Sequence, residues 1–333
     1  MFGMEIGIDL GSANTVVVVR KRGIVAKEPS VVAVDRRTHA VIAVGSAAHS
    51  MIGRTPDSIV SVHPVQGGVI SDMNHSTALL KHLIRQIAGS RWLRPRVVLT
   101  MQTNASEVDK RALAEAAQQA GAGEVLLVEE SVAAGLGAGL PVDRPVGSLL
   151  VDIGHGTTNV AVISLGGVVV SGSSPAAGDQ MDEAIIRYMK REHSLLIGQP
   201  TAERVKVQFG SALAGARTGK ASVTGRLVTT GTPAAVQVDA AEILGAIDDC
   251  LSQIDHLVIS VLERTPPDLL GDISEHGMTL TGGGALLAGL PERLSKATGL
   301  KVNMADAPQD AVALGTERVL ENRRRITVYK VKG

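Results

Sequence analysis

Residues 149–171 read LLVDIGHGTTNVAVISLGGVVVS. An apolar run ends on a carboxylate, Asp152, and a glycine-rich turn follows through Gly154, His155, Gly156, Thr157 and Thr158. A second apolar run, 160–165, turns at Gly166 and Gly167 and returns through 168–171. Adjacent glycines between β-rich runs predict a hairpin. Glycines let backbone N–H groups approach a ligand closely, and threonine hydroxyls add donors, so the turn suits phosphate. Asp152 cannot bind phosphate itself, because like charges repel. It can hold a hydrated Mg2+ that bridges to the phosphates.

The same device opens the chain. Residues 5–19, EIGIDLGSANTVVVV, give an apolar run, Asp9, a turn through Gly11, Ser12, Ala13, Asn14 and Thr15, and a second apolar run. Asp9-Leu10-Gly11 aligns with Asp152-Ile153-Gly154, and Thr15 with Thr158. Aspartate before glycine is common in ordinary turns, so one such hairpin carries little. Two copies, one opening each half, predict an internal duplication whose hairpins clamp one polyphosphate between two lobes.

Composition sets the outer bounds. A chain of 333 residues, 44% hydrophobic and 20% charged, is long and apolar enough for two globular domains. Lys plus Arg equals Asp plus Glu at 33 each, which argues against bulk electrostatic binding of nucleic acid. The single cysteine, Cys250, excludes an intrachain disulfide and sits in an apolar helical pattern, as an inert buried thiol would. Glu5 and Asp9 interrupt the start, so no signal peptide is expected and the cytoplasm is the default. Aromatics are only 2%, so the core must rest on Val, Leu, Ile and Ala.

Strands alternating with helices around the hairpins give an α/β class. Residues 76–88 form an apolar stripe through Leu79, Leu80, Leu83, Ile84 and Ile87, as a helix does. Helix 106–120 has Ser106 as N-cap and Asp109 at the capping-box position; helix 239–264 has Asp239 and Glu242 in the same roles. Pro266 and Pro267 stop the latter. Further helices are expected at 131–140, 181–193 and 201–210, strands at 96–100, 124–128 and 278–281, and a helix from about Ala285, after Gly282, Gly283 and Gly284.

Taken together, the stretches GIDLGSANT, MIGRTPDSIV, LVEESVAAGLGAGLP, VDIGHGTTNVAVISLGGVVVS, AGDQMDEAI, LLIGQPTAERVK and MTLTGGGALLAGLPERL resemble the actin-like ATPase superfamily, and within it the bacterial MreB family. The resemblance spans nearly the whole chain, in family order. It implies a duplicated actin-like (ribonuclease H-like) fold, with two lobes of two subdomains each around a nucleotide cleft. Residues 1–30, 64–145 and 310–333 would form subdomain IA, 31–63 IB, 146–180 and 240–309 IIA, and 181–239 IIB.

The resemblance also implies roles. Asp9 and Asp152 match the acidic positions that hold Mg2+ through water. Ser12, Ala13 and Asn14 match the first phosphate turn; Gly154, Gly156, Thr157 and Thr158 match the second, with Gly178 and Asp179 beside it. Glu130 matches the position that orients the attacking water, Glu203 and Lys206 the contacts to ribose and base, and Gly282, Gly283, Gly284 and Ala285 the adenosine turn. The implied function is an ATP-binding homopolymer, in paired protofilaments, lying on the inner face of the cell membrane. It would work with cell-wall elongation proteins to support cell shape, as a slow ATPase coupled to polymerisation.

Two positions depart from the family pattern. His155 stands where a third glycine is usual. Ser131 stands where proline usually follows the catalytic glutamate, implying a looser strand-to-helix turn. A divergent paralogue that binds nucleotide but hydrolyses it poorly therefore stays open, as does a small-molecule kinase of the same superfold. An ATP-gated chaperone would need a peptide-binding domain that the sequence does not suggest. Residues 89–96, GSRWLRPR, place Trp92 and Leu93 among Arg91, Arg94 and Arg96. Tryptophan flanked by cations suits an anionic bilayer surface, and family members insert a hydrophobic loop here.

Overall fold

The computed structural model describes residues 3–89, 94–103, 105–322 and 325–330. In chain order its elements are β1 (Glu5–Leu10), β2 (Asn14–Val19), β3 (Gly23–Pro29), β4 (Val32–Asp35), β5 (Val41–Val44), α1 (Ser46–His49), β6 (Ile59–Val62), β7 (Val65–Gln66), β8 (Val69–Ile70), α2 (Met73–Ala88), β9 (Arg96–Met101), α3 (Glu107–Gln119), β10 (Glu124–Glu129) and α4 (Glu130–Gly137). Then come β11 (Ser148–Ile153), β12 (Thr158–Ser164), β13 (Gly167–Ser174), α5 (Gly178–His193), β14 (Leu195–Leu196), α6 (Gln199–Phe209), β15 (Lys220–Leu227), β16 (Pro233–Asp239), α7 (Ala240–Glu263), α8 (Pro267–His276), β17 (Met278–Thr281), α9 (Leu290–Thr298), β18 (Val302–Met304), α10 (Ala311–Glu321) and β19 (Tyr329–Lys330).

The chain divides into two compact units. The first comprises Met1–Val146, Ile163–Val169 and Asp310–Gly333; the second comprises Gly147–Val162 and Val170–Gln309. The main sheet of the first unit runs β19-β10-β9-β1-β2-β3. Side chains alternate across β2 as a strand requires. Val17 and Val19 join Ile6, Ile8, Leu79, Leu83 and Leu113 in one core, while Val16 and Val18 meet Ala313 of α10 on the other face. With both faces covered, these strands read as continuous valine runs. A small sheet, β5-β4-β6, lies in the same unit, with Val31, Ala33 and Ala48 as its core.

The second unit is built on the sheet β13-β12-β11-β17-β18, with the hairpin end at Ile163–Val169 counted in the first unit. Leu149, Val151 and Ile153 pack with Met181 and Ile185 of α5 and with Ile247, Leu251 and Ile254 of α7. A smaller sheet, β14-β15-β16, completes this unit.

The duplication is explicit in the topology. In the first unit β1 pairs parallel with β9, and β9 with β10; in the second β11 pairs parallel with β17, and β17 with β18. The orders β3-β2-β1-β9-β10 and β13-β12-β11-β17-β18 therefore correspond strand for strand. The chain has a duplicated α/β fold of the actin-like class.

Several local expectations need correction. Pro266 and Pro267 end one helix but also start another: α8 takes Pro267 as its first residue, where a missing N–H costs nothing. The hairpin turn after β12 lies one residue early, with Leu165 (φ 52) and Gly166 (φ 78) both left-handed, the pattern of a type I′ turn. The segment after the three glycines is a single 3-10 turn, Gly283–Leu286, and α9 begins only at Leu290, so no helix N-terminus stands at Ala285. Helices α2 and α5 start three residues before the expected 76 and 181, at Met73 and Gly178.

Candidate functional site

In the second unit Asp152 stands near the end of β11, in parallel register with Thr281 of β17. It is buried, and the Thr281 hydroxyl donates to Asp152 Oδ1 at 3.0 Å. Burial pushes the Asp152 carboxyl up to about 6, against the pull of that hydrogen bond. Directly after Thr281, Gly282 takes φ 80; a Cβ there would lie 2.3 Å from the Ile153 carbonyl oxygen and 2.7 Å from Asp152 Oδ1. A Cβ on Gly284 would fall 2.2 Å from Ile153 Cγ2, whereas one on Gly283 would meet nothing nearer than Gln309 at 3.8 Å. Gly282 and Gly284 are thus glycines for packing against β11, and Gly283 presents an open face. Buried Ala285 closes the turn.

The phosphate-turn candidates sit against the start of α5. The N–H groups of Gly178 and Asp179 donate to the carbonyls of Gly154 (3.1 Å) and His155 (2.7 Å), and the Gly154 N–H to the carbonyl of Thr157 (2.9 Å). The buried Thr158 hydroxyl donates to the Ala176 carbonyl at 2.6 Å, so it braces the turn, while Thr157 and Gly156 stay half-buried. On α6, Lys206 Nζ donates to the Gly178 carbonyl (2.8 Å) and to Asp182 Oδ2 (2.9 Å); Glu203 lies one turn earlier and exposed. Asp152, the turn, Gly178, Asp179, Lys206 and the triple glycine therefore come together around the ends of β11 and β17.

In the first unit Asp9 holds the equivalent place on β1. The Thr100 hydroxyl of β9 donates to Asp9 Oδ1 at 3.1 Å. The turn after β1 is braced by Ser30, whose hydroxyl donates to the Gly11 carbonyl (2.6 Å) and whose N–H donates to the Ala13 carbonyl (2.8 Å). Ser12 Oγ accepts from the Gly68 N–H at 3.2 Å, and Asn14 is exposed. Glu130 is the first residue of α4, preceded by Glu129 at the N-cap, whose carboxyl burial pushes up. The Ser131 hydroxyl is paired with that of Thr103 at 2.9 Å, so a hydrogen bond pins the turn that proline would otherwise stiffen. Thr100 and Thr281 escaped the sequence reading; the available signal was a threonine at or next to the end of the strand beside each acidic strand.

No group of three or more His, Cys, Asp or Glu could hold a metal among the described residues. Each turn offers one carboxylate. That fits Mg2+, which keeps most of its waters and binds through one or two carboxylates plus phosphate oxygens. Burial disfavours the charged form of Asp152, which a cation would favour. Cys250 is buried and in no disulfide; its thiol, pushed up to about 11 by burial, donates to the Ala177 carbonyl at 3.9 Å.

Trp92 and Leu93 lie outside the described residues. Beside them in sequence, a cavity of about 280 Å3 is lined by Lys81, Arg85 and Arg94 over Ile84, Ala88 and Pro95. No helix among the described residues is long and apolar enough to cross a membrane.

The model of the MreB/Mbl protein family matches residues 3–328. The chain belongs to the MreB/Mbl family. It is 46% identical over 327 residues to the cell shape-determining protein MreB of Escherichia coli strain K12, covering 96% of this chain and 94% of that protein. Its identity to the cell shape-determining protein Mbl of Bacillus subtilis strain 168 is 42%, covering 99% of this chain and all of that one (100%). Among solved structures, MreB5 of Spiroplasma citri bound to ADP superposes with TM-score 0.92 at 36% identity, over 97% of each chain. The MamK double helical filament superposes with TM-score 0.81 at 22% identity, over 96% of this chain and 99% of that one, which speaks for the fold alone. Both are actin-like, as this MreB/Mbl chain is.

Proposed function

We propose that this MreB/Mbl chain binds ATP and assembles into filaments that support cell shape. The observation that carries this reading is the convergence of a buried acid, Asp152, a glycine-built turn and the open face of Gly283 at the ends of two adjacent parallel strands. Supporting it, the Spiroplasma citri relative was solved with ADP and with AMPPNP, and the Escherichia coli and Bacillus subtilis relatives are cell shape-determining proteins.

Gly154, Gly156 and Thr157 offer donors to the phosphates, and Ser12, Ala13 and Asn14 a second set. Gly178 and Asp179 hold the turn, and Gly282, Gly283, Gly284 and Ala285 receive the adenosine. Lys206 and Glu203 face the sugar and base from α6. Asp9 and Asp152 would hold Mg2+ through its waters, each oriented by a threonine hydroxyl. When bound, Mg2+ neutralises phosphate charge. Glu130, fixed at the start of α4, accepts a proton from the attacking water and makes the chain a slow ATPase. Hydrolysis then weakens subunit contacts made in the ATP state.

The filament would be peripheral to the inner membrane surface, with Trp92 and Leu93 inserted and Lys81, Arg85 and Arg94 facing anionic headgroups. Wall-elongation proteins are its expected partners. Electron microscopy of the purified chain on anionic liposomes, with and without ATP and Mg2+, tests the reading. Nucleotide-dependent filaments on lipid are expected; their absence under all conditions rejects it.

A further inference from the structure

Helix α5 carries two buried or half-buried carboxylates three residues apart, and each holds one base. Asp182 Oδ2 takes the Lys206 ammonium at 2.9 Å, and Asp179 Oδ1 lies 3.8 Å from His155 Nε2. Both bases border Gly178: a Cβ there would lie 3.3 Å from Lys206 Nζ and 3.4 Å from His155 Cα. Asp179 is itself fixed at three points. Its side chain accepts from Gln199, the first residue of α6, its N–H donates to the His155 carbonyl, and it stands in the first turn of α5. The His155 side chain, 29% exposed, thus stands in the middle of the glycine turn, at an electrostatic rather than a hydrogen-bond distance from a carboxylate that the neighbouring helix also grips.

We propose that His155 is a phosphate-contact residue: its imidazole, positioned by Asp179, donates to the phosphate chain of a nucleoside triphosphate and holds it more tightly when protonated. This rests on the nucleotide reading of the turn given above. Histidine is the side chain whose ordinary titration falls between about pH 5 and 8. A cationic donor adds direct charge attraction to its hydrogen bond with an anionic phosphate. The charged group beside the ring is Asp179 of α5; Lys206 of α6 borders the same Gly178 and is paired with Asp182 of α5, on which Glu203 and Asp179 also act, and Asp152 lies three residues before His155 near the end of β11. Asp152 and Asp182, each pushed up to about 6, titrate in the same interval. The informative quantity is therefore the difference between wild type and a His155 variant.

The test titrates a fluorescent non-hydrolysable ATP analogue with Mg2+ into the full chain at about pH 6 and about pH 8. Wild type, H155G, H155K, D179A and D179A/H155G are compared. The affinity ratio of wild type to H155G should be about five- to tenfold larger at the lower pH. H155K should keep its advantage over H155G at both pH values, because its charge does not titrate there. In the D179A background the pH-dependent advantage of His155 over glycine, read as the ratio of D179A to D179A/H155G, should shrink. Equal binding by wild type and H155G at both pH values overturns the proposal while leaving the nucleotide reading intact. Failure of wild type to bind at either pH overturns both.

Discussion

The Thr281 hydroxyl donates to the Asp152 carboxylate at 3.0 Å. Thr100 does the same for Asp9 at 3.1 Å. In each unit the threonine belongs to the strand parallel to the acidic one: Thr281 is the register partner of Asp152, and Asp9 and Thr100 come one step after the paired Ile8 and Leu99, so the relationship is part of the duplication. A neutral donor orients each carboxylate without cancelling its charge.

Replacing Thr281 with valine keeps the shape and removes the donor. Burial then acts on Asp152 unopposed, so its carboxyl rises further and is protonated more at mildly acidic pH. Mg2+-dependent nucleotide affinity of T281V should fall by about tenfold near pH 6.5 and much less near pH 8.5, a hydrogen bond to a charged group being worth about 1.5–3 kcal/mol. Binding titrations at the two pH values check this; an equal loss at both contradicts it.

The Asp182–Lys206 pair makes a stability prediction. Asp182 is fully buried, and Lys206 is its nearest opposite charge, at 2.9 Å. K206M should destabilise the chain by about 3–5 kcal/mol, because it strands a buried carboxylate, and D182N/K206M should recover much of that loss. The pH sign follows from the raised carboxyl. Its folded value, about 6, lies above the ordinary aspartate value of 3.8, so its contribution to stability is fully present below about pH 4 and is lost as pH rises through 6. Urea denaturation across that window should show a shallower fall for D182N than for wild type.

Two glycines in helices should answer oppositely to alanine. A Cβ on Gly315 of α10 would fall 1.7 Å from the Ala133 carbonyl oxygen of α4, and Gly137 of α4 stands in the same relation to Ala311. G315A must separate the two helices and should cost several kcal/mol, about 3 or more. Gly245 of α7 is exposed with nothing within 4 Å of a Cβ, so G245A should stabilise by about 0.5–1 kcal/mol. Thermal melts of the two variants check the contrast.

Within the triple glycine, position matters. G284A places a Cβ 2.2 Å from Ile153 and should impair folding, whereas Gly283 has room. G283A should melt like wild type yet bind nucleotide at least about tenfold more weakly, because its methyl group occupies the face proposed for adenosine. Unchanged binding by G283A would move the adenosine elsewhere.

Where local chemistry names a boundary, the sequence read well. Both capping boxes, Ser106 with Asp109 and Asp239 with Glu242, form as the spacing predicts. The two Asp-x-Gly turns proved to be strand-for-strand counterparts because each is a local hairpin with its own signal. What escaped depends on partners far away in sequence. Helix α10 was unread because part of its buried face is small, Ala311, Ala313 and Gly315, with Ala311 and Gly315 pressed closely on α4, so that its apolar stripe is weak. Leu165 in a left-handed turn is invisible to propensity. Of the candidate site, the acids and glycines were legible as motifs. The threonines that orient the acids, and the commitment of Lys206 to Asp182, depend on strand register and helix packing.

The account rests most directly on Asp9 and Asp152 as the acids that recruit Mg2+ to one nucleotide. Equilibrium titration of a fluorescent ATP analogue, with Mg2+ and with EDTA, should show for wild type a clear gain in affinity on adding the metal. D9N and D152N should each lose most of that gain while remaining folded by circular dichroism. If either folded variant binds with the full metal-dependent gain, the central claim is wrong.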